Sequence, residues 1–225
     1  MSVTVVTGAA SGMGRSCVDL LLGTTDHLVA VDVRETEIDG TVGVVCDITD
    51  VASVAALVEH VRELGPLRAL AHAAGVSPTM ADARRVFDVD LVGTQLVLDA
   101  FEPIVVPGTA AVCWSSSAAY QIGPFATPEQ DALLDDPLAQ DFLDRITSEV
   151  NDSGYAYSLA KRGVIRAVAR AAVTWGRRGG RVNSIAPGLI DTPMGRQEFE
   201  QQPIMQTMLA NTPLAREGRP DEVTR

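Results

Sequence analysis

The chain has 225 residues, of which 46% are hydrophobic and 4% aromatic, and its net charge at pH 7 is −11. This length is typical of one or two domains, and the negative charge argues against a nucleic-acid partner. No apolar run reaches the length of a membrane-spanning helix, so no membrane partner is expected. The 3 cysteines match no metal-ligand spacing, which predicts buried thiols, no metal site and a cytoplasmic location.

The first predicted unit is a β-branched strand at residues 3–7, a glycine-rich turn and a helix that Gly23 can end. Glycines let the backbone turn sharply and approach a pyrophosphate, whose charge the helix N-terminus favours. The spacing is G-x-x-x-G-x-G rather than G-x-G-x-x-G, and a turn that binds nothing is the alternative. The turn residues predicted to bind a dinucleotide are Gly8, Ser11, Gly12, Met13 and Gly14.

The next two predicted strands end in acids. Asp32 lies 18 residues after Gly14, a spacing typical of a carboxylate that binds the adenosine ribose. Because a carboxylate repels a 2′-phosphate, the sequence favours NAD over NADP. Arg34 is a counter-argument, since it is placed to bind a phosphate. The alternative for Asp32 is a solvated charge at the end of a strand, with no role in binding. In the strand at residues 42–48, Asp47 is predicted to accept from the adenine amino group or to cap the following helix, and its neighbour Ile48 to contact the cofactor.

Two later strand ends carry small or hydroxyl side chains. The strand that leads into Ala74 and Gly75 lets a ligand approach the backbone. His72 in that strand is a possible base, but it has no acid nearby in sequence, so a structural role is favoured. The strand beginning at residue 110 ends in three serines, and a serine there can hydrogen-bond a substrate oxygen, although turn chemistry accounts for two of the three.

Tyr157 and Lys161 are four positions apart in a helical stretch, so their side chains share one face. An ammonium close to a phenol favours the phenolate, which predicts a tyrosine pKa lowered from about 10 toward neutrality. Such a tyrosine can exchange a proton with a reacting oxygen. An amphipathic helix face is the structural alternative, and Tyr155 is a weaker candidate because no lysine follows it at the same spacing.

Together these motifs resemble those of the short-chain dehydrogenase/reductase family, compact type. Residues 7–14 match its cofactor motif, and residues 72–75 resemble its N-N-A-G motif with His and Ala in place of the asparagines. Residues 116–119 resemble its catalytic serine segment, which points to Ser117 as the residue that fixes the reacting oxygen. The match of residues 183–193 to its nicotinamide-side motif implies cofactor contacts from Pro187, Gly188, Ile190 and Thr192.

The resemblance implies a single Rossmann-type, doubly wound α/β domain over residues 1–225, with a mostly parallel sheet and helices on both faces. It implies that Tyr157 and Lys161 also bind the cofactor, and that NAD(H) exchanges a hydride with a secondary alcohol or carbonyl of a small-molecule substrate. A homo-oligomer, dimer or tetramer, is expected. The alternatives are a non-catalytic dinucleotide-binding regulator and a sugar-nucleotide epimerase, although epimerases carry a larger substrate domain.

The sequence departs from the family pattern at three places. Asp90 stands where the family usually has an asparagine that positions a proton-relay water, so a charge is added to the predicted catalytic group. An insertion at about residues 121–153 carries eight acids and one arginine, and resembles the 3α-hydroxysteroid dehydrogenase/carbonyl reductase branch, which implies an apolar alicyclic or steroid-like substrate. The family's last strand has no counterpart before Arg225, so either the sequence is incomplete or that strand is absent.

The insertion is predicted to be partly helical and to cover the substrate. Residues 127–130 are typical of a helix start with a capping box, and residues 141–146 indicate a second short helix. Because the segment leaves the chain after Ser117 and returns before Tyr157, we expect a mobile lid whose apolar side chains face the ligand. A solvated surface segment or a modulator of subunit contacts is the alternative.

Overall fold

The computed structural model describes residues 1–225 and is built on one six-stranded, fully parallel sheet. The strands are β1 (Val3–Thr7), β2 (His27–Asp32), β3 (Val42–Val45), β4 (Leu67–His72), β5 (Ala110–Trp114) and β6 (Arg181–Ile185). Their order is β3-β2-β1-β4-β5-β6, so the chain reverses direction across the sheet between β1 and β4. In such sheets ligands bind beyond the carboxyl ends of the strands at this reversal.

Helices cover both faces of the sheet, which confirms the predicted doubly wound fold. They are α1 (Gly12–Leu21), α2 (Val51–Leu64), α3 (Ala83–Phe87), α4 (Thr94–Phe101), α5 (Ala118–Gln121), α6 (Pro128–Leu134), α7 (Phe142–Glu149), α8 (Ser153–Arg177), α9 (Pro193–Gln201), α10 (Ile204–Ala210) and α11 (Pro220–Thr224). None of these helices is both long and apolar enough to cross a lipid bilayer.

Alternate side chains of the central strands pack into two different cores. Val3 and Val5 of β1 belong to a cluster of 25 buried residues formed with α2, α4 and α8. Val6 of the same strand belongs to a smaller cluster with α1 on the opposite face. Because side chains alternate along a strand, a β-branched run that is apolar at every position predicts burial on both faces.

One predicted strand end and one predicted cap differ from the structure. The strand predicted at residues 42–48 ends at Val45. The carboxylate of Asp50 caps α2 by accepting from the amides of Ala52 and Ser53, so the capping role predicted for Asp47 is wrong. Asp47 accepts instead from the amide of Thr49 at 2.9 Å and from its hydroxyl at 2.7 Å, a local turn that ends the strand early.

A one-turn π segment, Asp88–Gly93, joins α3 to α4 and sets the position of Asp90. It packs closely on α8, because a Cβ added to Gly163 would lie 2.7 Å from the side chain of Leu91. The wider turn leaves Asp90 fully buried and directed at the centre of the protein. Single π turns inside helices occur frequently at functional sites.

The insertion folds as α6 and α7 and is attached firmly to the domain. Thr127 begins α6 with the predicted capping box and a proline in the first turn, and α7 confirms the second predicted helix. A second core of 13 buried residues joins the insertion to α3, the π segment and α8. Its members from the insertion are Ile122, Leu133, Leu134, Phe142, Ile146 and Val150.

A ladder of charges holds α6 against the length of α8. Arg162 forms a bidentate pair with Asp131, with both distances at 2.7 Å. Arg166 pairs with Asp131 and Asp135, and Arg170 pairs with Asp135 at 2.5 Å. These three arginines lie four residues apart on one helix face, so α8 neutralises two of the eight acids of the insertion, Asp131 and Asp135.

Candidate active site

The glycine turn between β1 and α1 has no room for side chains. Gly8 has φ +70°, and a Cβ there would lie 2.8 Å from the amide nitrogen of Ala74. A Cβ on Gly14 would lie 2.1 Å from the carbonyl oxygen of Gly8. The side chain of Ser11 does not cap α1, so the amides of the first turn keep their donors for a ligand. This cradle fits the pyrophosphate of a dinucleotide.

Asp32 lies beside this turn at the end of β2. Its Oδ2 accepts from the amide of Ala10 at 3.0 Å, and its Oδ1 lies 3.8 Å from the guanidinium of Arg34. The carboxylate therefore holds the glycine turn in place as well as facing the cavity beside it. That cavity, of about 540 Å³, brings together six predicted cofactor-binding residues: Gly8, Asp32, Asp47, Ile48, Ala74 and Gly75.

The side chain of Lys161 is buried between the sheet and the π segment. Its Nζ donates to the carbonyl oxygen of Trp114 at 3.3 Å and lies 3.6 Å from Oδ2 of Asp90. The same ammonium lies 5.5 Å from the centre of the Tyr157 ring. A Cβ on Gly75 would lie 2.8 Å from Oδ1 of Asp90, so the glycine leaves the space that the ion pair occupies.

Asp90 is a buried carboxylate with incomplete hydrogen bonding. Its Oδ1 accepts from the amide of Val76 at 2.9 Å, whereas Oδ2 has no hydrogen-bond donor. Burial raises the pKa of Asp90, and the nearby charge of Lys161 and the bond from Val76 only partly oppose this rise. The predicted catalytic group thus lies next to Lys161.

Tyr157 differs from the prediction in its acidity. Burial raises the pKa of its phenol above the usual value, and the negative charges of Asp90 and Glu198 add to the rise. The predicted lowering by Lys161 is therefore wrong for this structure. The physical reason is that the ammonium faces Asp90 and a backbone carbonyl, and so is largely compensated before it reaches the phenol.

The structure also separates the three serines that follow β5. Ser115 donates to the backbone carbonyl of Lys161 at 2.8 Å and is structural. Ser116 lies close enough to Tyr157 to act to lower the pKa of its phenol, and its own hydroxyl oxygen accepts from the amide of Ala118 at 3.2 Å. Ser117, the predicted residue, is the N-cap of α5, and its amide donates to the carbonyl of Pro187 at 2.9 Å. All three serines line one cavity together with Tyr157, so the role predicted for Ser117 stays a prediction and Ser116 is a second candidate for it.

A second cavity, of about 970 Å³ and open to solvent, lies on the other side of Tyr157. Six residues predicted to bind the cofactor line it, namely Met13, Tyr157, Pro187, Gly188, Ile190 and Thr192. Its outer wall is formed by α9 and α10, through Met194, Glu198, Met205 and Met208. Sequence reasoning missed this wall, although the cluster of methionines after the 183–193 motif was a signal for it.

The insertion contributes only its first residue, Gln121, to the lining of this cavity. Of the apolar side chains expected to face a ligand, Leu133, Leu134, Phe142, Leu143 and Ile146 pack in the core shared with α3 and α8, whereas Phe125 and Leu138 are exposed. The expectation that these buried side chains face the ligand is therefore wrong, whereas the mobility of the segment stays a prediction. Tyr155, the weaker tyrosine candidate, donates to Oε1 of Gln130 at 3.2 Å and ties α8 to the insertion.

His72 is structural, as the sequence favoured. Its ring nitrogens lie 2.9 Å from the hydroxyl of Thr7 and 3.1 Å from that of Thr94, and Thr94 donates in turn to the carbonyl of Asp90. Burial, and the charge of Lys161, lower the pKa of His72 to about 3. A neutral imidazole therefore connects the central strands to the π segment.

Comparison of the sequence with known proteins finds a protein family that matches most of the chain. The family model described as enoyl-(acyl carrier protein) reductase matches residues 8–129 and 144–225. A cis-4-hydroxycyclohexanecarboxylate dehydrogenase of Sinomonas cyclohexanicum is 32% identical, over 98% of this chain and 85% of that protein. A 3-alpha-hydroxysteroid dehydrogenase/carbonyl reductase of Comamonas testosteroni is 27% identical, over 99% of this chain and 86% of the other.

Two further similarities extend over the whole chain. An uncharacterised short-chain type dehydrogenase/reductase of Sinorhizobium fredii is 29% identical over 99% of this chain, which spans only 39% of that relative's length. The crystal structure of a 3-alpha-hydroxysteroid dehydrogenase from Pseudomonas sp. B-0831 complexed with NADH has a TM-score of 0.82 and 26% identity, covering 100% of this chain and 87% of the other. With the family model matching most of its length, the chain belongs to the short-chain dehydrogenase/reductase family.

Proposed function

We propose that this protein is an NAD(H)-dependent oxidoreductase that interconverts a secondary alcohol and a ketone on an apolar alicyclic or steroid-like substrate. The observation that carries the proposal is the position of Tyr157, which lines the 970 Å³ cavity and has Lys161 and Ser116 beside it. The relatives named for cyclohexane and steroid substrates support the substrate class. A bound nicotinamide supplies or accepts the hydride.

Side chains of this protein transfer the proton and position the substrate oxygen. Tyr157 exchanges a proton with the substrate oxygen, and Ser116 holds that oxygen by a hydrogen bond. Lys161, whose Nζ lies 5.5 Å from the centre of the tyrosine ring, orients the tyrosine and would help to hold the cofactor. This assigns to Ser116 the role that the sequence assigned to Ser117, because Ser116 is the serine that acts on the pKa of the phenol.

Replacing Tyr157 by Phe tests the reaction. The phenol is required for proton transfer and not for the fold, so turnover with NAD and a cyclic alcohol should fall by about 10²–10⁴-fold. NADH binding, measured by fluorescence titration, should be unchanged. Tyr155→Phe is the matched control, since this tyrosine is on the same helix and contacts only the insertion. Retention of turnover by Tyr157→Phe would require a different acid.

We further propose that the cofactor is NAD and not NADP, because the carboxylate of Asp32 lines the cavity that takes the adenosine end. Direct titration should give tighter binding of NADH than of NADPH. Asp32→Ala should narrow this difference by weakening NADH binding and admitting the 2′-phosphate to Arg34. Tighter binding of NADPH by the unmodified protein would contradict the proposal.

A non-catalytic regulator is the second candidate, and one observation favours it. The negative charge of Asp90 raises the pKa of Tyr157 and so opposes proton removal by the phenol. A regulator would bind NADH tightly yet oxidise no alcohol between pH 6 and 10. Measurable turnover that disappears in Tyr157→Phe excludes this candidate.

A further inference from the structure

The cavity above Tyr157 carries negative charge only. Among the side chains that line it, Glu198 and Glu217 are the charged ones, and no lysine, arginine or histidine lines it. The nearest cations are compensated elsewhere: Lys161 lies beneath the tyrosine against Asp90, and exposed Arg196 pairs with Asp191. A ligand in this cavity therefore meets two carboxylates and no cationic side chain in the lining.

Glu198 is the carboxylate that faces the catalytic group. It lies on α9, is half-buried, and lines the cavity together with Tyr157. Its charge raises the pKa of Tyr157, so the two side chains are within range of direct electrostatic interaction. Burial raises the pKa of Glu198, while Ser77 and the charge of Lys161 oppose the rise.

The remainder of the wall is apolar and adaptable. Met194, Met205 and Met208 line the cavity together with Leu189 and Ile204. Methionine side chains adjust to ligands of different shape, so shape alone discriminates weakly among alicyclic rings here. Discrimination then depends on the charged groups in the wall.

We propose that Glu198 determines substrate specificity by accepting a hydrogen bond from a hydroxyl or ammonium on the substrate ring, and by excluding substrates that carry a carboxylate. The proposal rests on the proposed function and specifies its substrate class as neutral or cationic alicyclic alcohols. The Sinomonas relative is named for a carboxylate substrate, so the present chain is expected to differ from it in this preference.

The test uses three ligands that share one ring: trans-4-methylcyclohexanol, trans-4-aminocyclohexanol and trans-4-hydroxycyclohexanecarboxylate. Each is titrated calorimetrically at pH 8 into the protein, with and without saturating NADH. We expect the carboxylate to bind at least about tenfold more weakly than the methyl compound, and the ammonium to bind more tightly than both. In Glu198→Gln the dissociation constants of the three ligands should differ by only a few-fold.

Glu200→Gln is the matched control, because Glu200 is exposed on the same helix and does not line the cavity. This variant should bind the three ligands with the same order of affinities as the unmodified protein. The inference is overturned if the carboxylate binds as tightly as the methyl compound, if Glu198→Gln leaves the order unchanged, or if none of the three ligands binds. Absence of NADH binding, or correctly ordered binding without turnover, would instead overturn the proposed function.

Discussion

At the scale of single residues, Asp90 is a buried charge that acts on both Lys161 and Tyr157. It is a carboxylate at 0% exposure with one hydrogen-bonded oxygen and one oxygen that only faces Lys161 at 3.6 Å. Taking two charges out of water is costly, and a single ion pair compensates it poorly. The arrangement therefore stabilises the ammonium of Lys161 at the expense of its action on Tyr157.

Asp90→Asn should make the enzyme faster near neutral pH. Removing the carboxylate charge removes one cause of the raised Tyr157 pKa, so the phenolate forms at lower pH. The rate of alcohol oxidation rises as the base form of the tyrosine appears. Its rising limb should therefore move toward lower pH by about one unit, and kcat at pH 7 should increase several-fold.

The measurement is kcat and kcat/KM for oxidation between pH 6 and 10. Asparagine keeps the size of the side chain and an oxygen for the amide of Val76, so circular dichroism melting serves as the control for folding. An unchanged pH profile would mean that Asp90 is protonated in the working enzyme or does not act on the tyrosine.

The serines show where sequence reasoning at the residue scale ends. Ser115, Ser116 and Ser117 have the same chemistry, and motif alignment alone selected Ser117. Only the turn into α5 decides which hydroxyl reaches the phenol.

Ser116→Ala should lower kcat by about 10²–10³-fold, as expected for the loss of one donor to a reacting oxygen. Ser117→Ala, assayed in parallel, should stay within about threefold, and the reverse result would restore the sequence assignment.

At the scale of elements, the sequence was sufficient wherever one local pattern decides the structure. Strand β1 was predicted to the residue from a β-branched run, and the capping box of α6 from four residues. The π segment was not predictable, because it depends on the close approach of α8 at Gly163. That contact joins residues far apart in sequence and leaves no periodic signal.

His72 makes a prediction at this scale, because it connects β4 to β1 and α4. Its pKa is about 3 in the folded protein and about 6.5 when unfolded, so the unfolded state binds the proton first. Stability from this neutral imidazole is complete above pH 6.5 and is lost as the pH falls toward 3. Between pH 7 and pH 5 the free energy of unfolding should fall by about 2 kcal/mol from this residue alone.

Urea unfolding at pH 7 and pH 5 measures this loss. His72→Gln is the comparison, because an uncharged amide keeps hydrogen-bonding groups for both threonines. The variant should be less stable at pH 7 yet lose about 2 kcal/mol less between the two pH values. Equal losses in both proteins would show that the imidazole is not kept neutral by the fold.

At the scale of the whole molecule, the insertion is where sequence reasoning failed. Its apolar pattern showed that one face must be covered but not which surface covers it. In the structure that surface is α3 and α8, where Phe87 packs edge-on against Phe142 at 6.0 Å between ring centres. The predicted homo-oligomer stays a prediction, and sedimentation equilibrium would measure it.

Substitutions of two leucines can distinguish whether the insertion stabilises the fold or covers the substrate. Leu134 is fully buried in the core shared with α3 and α8, whereas Leu138 is 42% exposed in the same segment. Leu134→Ala should lower the free energy of unfolding by about 2–5 kcal/mol through the cavity that it leaves. Leu138→Ala should change it by less than about 0.5 kcal/mol. Because neither side chain lines the substrate cavity, both variants should keep KM for cyclic alcohols within about twofold. A large increase of KM in Leu134→Ala at unchanged stability would return the segment to the role of a lid.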